Sequence, residues 1–388
     1  MVRRIFRGRS RLLLRWTLIL VLCAGVVDGC SASGRENASR DKGHEVLYGF
    51  AIASLNISAT ARINRNTGGF NWASTGPVPF FANSAAVASS TGFLYISNSF
   101  INGVGNNGSQ IFGYTINQAK GTLTPIVGSP FFLFPPPISI QGLATTPDGQ
   151  FLYGADDSGH IFAFRLDRVT GVPTSVPGSP FTSGANSQLV VDPTGKFLYA
   201  SEDIPPGVLA FTIDQSGALS PVPGSPFAIP DPSTVPNSEP YGIVDTGSFV
   251  YVALSANNKI AAFSVDSGTG SLTRVPGSPF PAGNSPALFA LANSFLYVVN
   301  PGDGTVSGYR IDAGSGALTP VPGSPFGAGG ETLATDSFGM YLYLGTFKGI
   351  QGYNIDSATG SLTLGSAKLG EAGALWLTIV DLHGRDAQ

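Results

Sequence analysis

Of the three histidines in this 388-residue chain, only His160 stands among acids, closing the run Asp156-Asp157-Ser158-Gly159-His160. Glu202-Asp203 follows, then Asn257-Asn258-Lys259, Asn300-Pro301-Gly302-Asp303, Glu331 and Phe347-Lys348. An imidazole or a carboxyl can take a proton from water, and ammonium groups can stabilise the oxyanion that forms when that water attacks an ester or lactone carbonyl. His160 and Glu202 are therefore the candidate catalytic residues, and Asp157, Lys259, Asp303, Glu331 and Lys348 the candidate ligand-binding set. The competing reading has Asp156, Asp157, Asp203 and Asp303 capping turns through side-chain to backbone hydrogen bonds, with His160 an exposed loop residue and the lysines solvated.

Several chemistries are disfavoured. The chain carries no G-x-S-x-G elbow, no G-x-x-x-x-G-K-[ST] phosphate loop, no H-E-x-x-H and no C-x-x-C, which argues against a serine hydrolase, a nucleotide enzyme and a thiolate-zinc site. No D-x-D-x-D-G loop marks a calcium site, and no metal or other cofactor is expected. A phosphate dianion usually needs an Arg fork or several donors, whereas these loops offer two lysines amid at least six carboxylates.

The elements that position these residues repeat. Gly-Ser-Pro-Phe begins at Gly128, Gly178, Gly224, Gly277 and Gly323, with gaps of 50, 46, 53 and 46 residues, and a weaker copy starts at Gly76. A period of roughly 40–55 residues with strand-like content indicates propeller blades. Each unit parses into four short strands, A to D. In the unit 139–181 these are an apolar stretch, a Pro147-Asp148-Gly149 turn, Phe151-Leu152-Tyr153, a polar loop, the run from Ile161 to Asp167, a Thr170-Gly171 turn and a last strand ending in Val176-Pro177. The third strand recurs from Ile111, Ile161, Val208, Ile260, Val306 and Ile350, each copy with Gly or Ala before an aromatic ring or its equivalent. Its near-continuous apolar character suits strands buried on both faces. Proline in the fourth strand is tolerable if that strand lies outermost.

The second strand occurs seven times, from Val46-Leu47-Tyr48 to Tyr341-Leu342-Tyr343. The first copy has no A strand before it, and the chain ends in an A-like strand, Leu375 to Val380, with no B strand after it. The expected fold is therefore an all-β, seven-bladed β-propeller over residues 46–388, its ring closed by the C-terminal A strand joining the N-terminal B to D strands. The B–C and D–A loops then share one face around the channel mouth and carry every candidate above.

The first 29 residues read as a secretory signal: Arg3, Arg4, Arg7, Arg9, Arg11 and Arg15 precede an apolar run, Trp16 to Val27, too short to span a bilayer. The run ends Val27-Asp28-Gly29-Cys30, which resembles a bacterial lipobox except for Asp28, so Cys30 is the candidate lipidation site. Cleavage there leaves 15 basic and 23 acidic residues, a net charge of −8, which disfavours nucleic acid as a partner. With Cys23 in the signal and Cys30 at its edge, no internal disulfide can form. Residues 30–45 are small and polar and are expected to be a flexible tether.

Units such as Phe295-Leu296-Tyr297-Val298-Val299-Asn300, followed by Gly304 to Asp312 and Gly316 to Pro320, resemble the lactonase-family seven-bladed propeller, which includes 6-phosphogluconolactonase-like proteins and is related to YVTN-type repeats. The resemblance covers about residues 46–388 and is carried by structural positions, so it implies the fold more than an activity. Two functions follow as expectations. One is an exported, periplasmic or envelope-anchored, monomeric hydrolase of an unphosphorylated lactone or sugar-derived ester. The other is a non-catalytic envelope propeller that grips a protein, peptide or glycan through its loops. The long loop from Asn98 to Ser109 and the insertion Ala228 to Asn237 favour recognition, since long surface loops often carry it.

Overall fold

In the six units where its burial is described, strand B is almost wholly buried, and its aromatic pair, Phe-x-Tyr in five of them, explains how one unit holds the next. A buried tyrosine hydroxyl must find an acceptor. Tyr95, Tyr153, Tyr199, Tyr251 and Tyr297 each donate to the carbonyl of a glycine in the C–D turn of the following unit, namely Gly171, Gly217, Gly270, Gly316 and Gly360, at 2.6–3.1 Å. The phenylalanine two residues earlier lies over the same glycine. At Gly316 the backbone has φ +74°, and an added Cβ would stand 2.4 Å from Phe249 Cδ1, so only glycine fits. The turn itself is capped by the aspartate just after strand C: Asp167 Oδ1 accepts from the Val169 and Thr170 amides and the Thr170 hydroxyl.

The computed structural model describes residues 45–51, 58–63, 67–68, 70–76, 82–88, 90–98, 110–117, 122–132, 140–156, 158–182, 184, 186–203, 205–229, 240–346, 349–370 and 374–381. Among them there is no helix, and the strands form an all-β propeller. Residues 43–388 are one compact unit. The strands pair into seven antiparallel sheets, each running outward from strand A to strand D. Six are continuous in sequence, with A strands at Ala82–Ala88, Ile140–Thr145, Asn186–Val191, Pro240–Asp245, Phe289–Ala292 and Thr332–Thr335. We number these sheets one to six in that order. In the seventh, Ala374–Asp381 pairs with Glu45–Ala51, which pairs with Ser58–Ile63 and then Phe70–Gly76, in the register Tyr48 opposite Thr378. Consecutive A strands are neighbours around a closed circuit, with Ala374–Asp381 beside both Thr332–Thr335 and Ala82–Ala88. The tyrosine latch closes as well, Tyr343 donating to Gly68 at 3.0 Å across the two chain ends.

The Gly-Ser-Pro-Phe motif does more than punctuate. Strand D does not simply end before it. The motif's serine accepts the amide of the small residue in strand C, as Ser179 does for Ala163 at 2.9 Å. Its phenylalanine then resumes pairing with the same strand, Phe181 opposite Ile161. The fourth strand is thus two short pieces stitched to one neighbour, with the polar turn between them satisfied internally. The sixth sheet lacks the motif and instead has one long strand, Leu362–Gly370, with a bulge opposite Gln351–Tyr353.

Candidate functional site

Strands B and C end on a shared rung at the B–C turn, and the repeat varies that rung while keeping the strands below it. Going round the sheets, the rung reads Asn98–Gln110, Asp156–His160, Glu202–Gly207, Leu254–Lys259, Asn300–Thr305 and Thr346–Gly349. Two successive sheets, the second and third, therefore carry the two candidate catalytic residues on the same rung but on opposite strands, His160 on strand C and Glu202 on strand B.

His160 is the first residue of its strand, His160–Leu166, rather than part of the loop before it, and it is not a lone histidine. Asp156 closes the preceding strand and is fully buried. Its Oδ1 accepts the Ser158 amide at 3.0 Å and the His160 amide at 2.7 Å, and its Oδ2 lies 2.9 Å from His160 Nδ1. Asp156 thus caps the turn as expected and also engages the ring. The imidazole side chain is 37% exposed, with Phe162 beside it at a centroid distance of 6.1 Å.

Glu202 is the sixth residue of the seven-residue strand Phe197–Asp203 and is 5% exposed. The same rung position in the fifth sheet is Asn300, whose amide donates to Thr305 Oγ1 and Ser307 Oγ at 3.0 and 2.9 Å. In the third sheet those two partner positions hold Gly207 and Leu209, which bring no side-chain hydroxyl. Glu202 Oε2 is buried with no hydrogen-bond partner among the described residues. Burial, reinforced by the neighbouring Asp203 charge, pushes the carboxyl up to about 7. At neutral pH it therefore holds its proton part of the time, as a proton donor must.

Gly184, in the loop leading to the third sheet, connects the surroundings of the two groups. A Cβ there would stand 2.4 Å from Glu202 Oε1, and a Cβ on Gly159 would stand 2.5 Å from the Gly184 carbonyl oxygen. Gly184 has φ +120° and its amide reaches the Gly159 carbonyl at 3.4 Å. The turn that precedes His160 and the carboxyl of Glu202 therefore both pack against Gly184. His160 stands on the third strand of the second sheet and Glu202 on the second strand of the third.

The remaining candidates stand on the following sheets. Lys259 begins the strand Lys259–Val265 and is half-buried. Asp303 is occupied by its own loops: Oδ1 accepts the Thr305 amide and hydroxyl, Oδ2 accepts the Asn284 amide at 2.8 Å, and these bonds hold its carboxyl below the usual range despite some desolvation. That is the turn-capping arrangement, so a ligand would have to displace bonds already made. Glu331 is half-buried ahead of the strand Thr332–Thr335, its carboxyl raised by burial. Asp157, Lys348, Cys30, the signal and tether segments and the tips of both long loops lie outside the described residues. Among the described residues no group of three His, Cys, Asp or Glu could hold a metal ion, and no helix is long and apolar enough to cross a membrane. Asp156 was visible in the sequence only as a turn cap; its pairing with His160 four residues on follows from the hairpin, which the spacing alone does not reveal.

With this geometry in hand, the chain can be set beside known proteins. The family model described as "Lactonase, 7-bladed beta-propeller" matches residues 241–332. No sequence among the curated proteins matches the chain. Among solved structures, a putative 6-phosphogluconolactonase from Bacteroides uniformis ATCC 8492 superposes with TM-score 0.72 at 18% identity, covering 88% of this chain and all of that one. A putative 6-phosphogluconolactonase from Bacteroides fragilis NCTC 9343 gives 0.68 at 19% identity over 89% of this chain and all of that one. The periplasmic gluconolactonase of Pseudomonas aeruginosa gives 0.69 at 17% identity over 87% of this chain and 99% of that one. At these identities the likeness is one of fold, and the chain has the lactonase-type β-propeller architecture.

Proposed function

We propose that this protein is an exported, seven-bladed hydrolase of lactonase type that opens an unphosphorylated lactone or sugar-derived ester in the cleft between the second and third blades, with His160 as base and Glu202 as acid. The observation that carries the reading is the Glu202 carboxyl, buried with an unpartnered Oε2 and raised to about 7 by that burial, with Gly184 packed against both its Oε1 and the turn that leads into His160. A buried polar atom left without a partner costs about 1–3 kcal/mol, which a ligand hydroxyl donating to it would offset. In the reaction His160 Nε2 takes a proton from water as the water oxygen bonds to the carbonyl carbon. When the tetrahedral centre collapses, the ring C–O bond breaks and the leaving alkoxide takes the proton of Glu202. The imidazolium then returns its proton to Glu202 or to solvent as the hydroxy acid leaves. Asp303 and Glu331 on the same end of the ring favour a neutral substrate over an anionic one, and Lys259 is the candidate donor to its hydroxyls.

The Arg-rich leader and Cys30 support export and a lipid anchor at the cell envelope. The reading is tested by hydrolysis of a panel of neutral aldonolactones and 4-nitrophenyl acetate by wild type, His160→Ala and Glu202→Gln. Turnover that falls about 10²–10⁴-fold in His160→Ala is expected. Turnover that survives the substitution removes His160 from the reaction, and the absence of turnover on every lactone and ester favours a binding propeller.

A further inference from the structure

Asp156 presents an unusual division of labour between its two oxygens. Oδ1 is committed to the backbone, accepting the Ser158 and His160 amides, while Oδ2 faces the His160 ring at Nδ1. The backbone amides are fixed donors, so the carboxyl group cannot rotate without breaking the turn. Asp156 is fully buried, whereas the His160 side chain reaches the surface. One face of the imidazole is thus anchored inside the fold and the other is left for solvent or a ligand.

We propose that Asp156 is a positioning residue, which holds the proton of neutral His160 on Nδ1 and so keeps the Nε2 lone pair free and aimed out of the turn. The inference rests on the hydrolase reading for its purpose, though not for its test. With Oδ1 tied to two amides, Oδ2 is the acceptor presented to the ring, and a neutral imidazole satisfies it by carrying hydrogen on Nδ1. The unprotonated nitrogen is then the outward one, which is the form a base must have to take a proton from water. Substituting Asp156→Asn should invert this arrangement. The two amides retain the side-chain oxygen, so the –NH₂ group must take the place of Oδ2 and donate to Nδ1. The ring proton then moves to Nε2, and the outward nitrogen has no lone pair to offer.

The experiment uses full-length protein with His44→Gln and His383→Gln, which leaves His160 as the single imidazole. Long-range ¹H–¹⁵N spectra of the neutral ring are expected to show protonated Nδ1 and unprotonated Nε2, and the reverse once Asp156→Asn is added. A wild-type ring protonated on Nε2, or a tautomer unchanged by Asp156→Asn, overturns the proposal. The same pair is then assayed on the aldonolactone panel, where kcat is expected to fall about 10²–10⁴-fold with little change in KM. Unchanged kcat in a variant whose tautomer has inverted also overturns it. If the tautomer inverts but wild type turns over no lactone or ester, the positioning role stands and the hydrolase reading falls. If Asp156→Asn does not fold, the wild-type tautomer alone decides the matter.

Discussion

Substituting Glu202→Gln should make the protein more stable at high pH and leave it nearly unchanged at low pH. In the folded chain burial and Asp203 place the Glu202 carboxyl at about 7, against 4.5 for the free group. Because the folded-state value is the higher one, the folded form binds the proton more tightly than the unfolded form. Stability associated with this group is fully present below about 4.5 and is lost as pH rises through about 7. A shift of this size corresponds to at most about 3.4 kcal/mol, and relaxation and solvent screening reduce it to about 1–3 kcal/mol. Glutamine keeps the volume and removes the ionisation, so the loss vanishes in the variant. With an unfolding entropy of about 2.1 cal/mol/K per residue over about 340 residues, the variant's melting midpoint should exceed wild type by about 1.5–4 °C at pH 8 and by much less at pH 5. Asp245, pushed up to about 6, and Glu331, also raised by burial, give both proteins a common background slope in the same direction, so the difference between the two curves isolates Glu202. Differential scanning calorimetry at half-unit pH steps reads this directly. A difference that is flat from pH 5 to 8, or that favours wild type as pH rises, would show that Glu202 ionises freely in the fold and would remove the argument for it as a proton donor.

The ring itself gives further tests. Gly316→Ala places a methyl 2.4 Å from the Phe249 ring in a left-handed backbone conformation and should cost about 2–4 kcal/mol by urea unfolding, whereas Gly327→Ala, with nothing within 4 Å of its Cβ, should be close to neutral. Tyr343→Phe strands the Gly68 carbonyl at the closure and should cost about 1–3 kcal/mol, and if the latch is what joins the chain ends, protease cleavage should rise first near residue 68. Deleting residues 373–388 removes the strand that pairs with Glu45–Ala51 and leaves two open edges. A truncated chain whose midpoint barely moves would show that the circuit of sheets does not depend on this strand.

Most of the scaffold can be read along the chain because it is built from local rules. Turn residues such as Asp167 to Gly171 reverse the chain whatever surrounds them, and an aromatic at the third place of each B strand recurs because each blade packs on the next in the same way. The B-like run at Val46 and the A-like run near Leu375 are complementary pieces of one unit, and the two pair in the fold. The site is less legible, since its character depends on what neighbouring strands lack. Nothing in the string Ala200-Ser201-Glu202-Asp203 distinguishes a solvated loop carboxylate from a buried one. That is decided by Gly207 and Leu209 standing where the fifth blade has Thr305 and Ser307, and by Gly184 approaching from another loop. Likewise Asp156 and His160 sit four residues apart in any conformation, but only a hairpin with Oδ1 held by two amides turns the other oxygen toward the ring. Composition and period alone determine the repeat and its turns, because each depends on neighbours in sequence. Desolvation and the direction of a hydrogen bond depend on neighbours in space, and those only the assembled blades bring together.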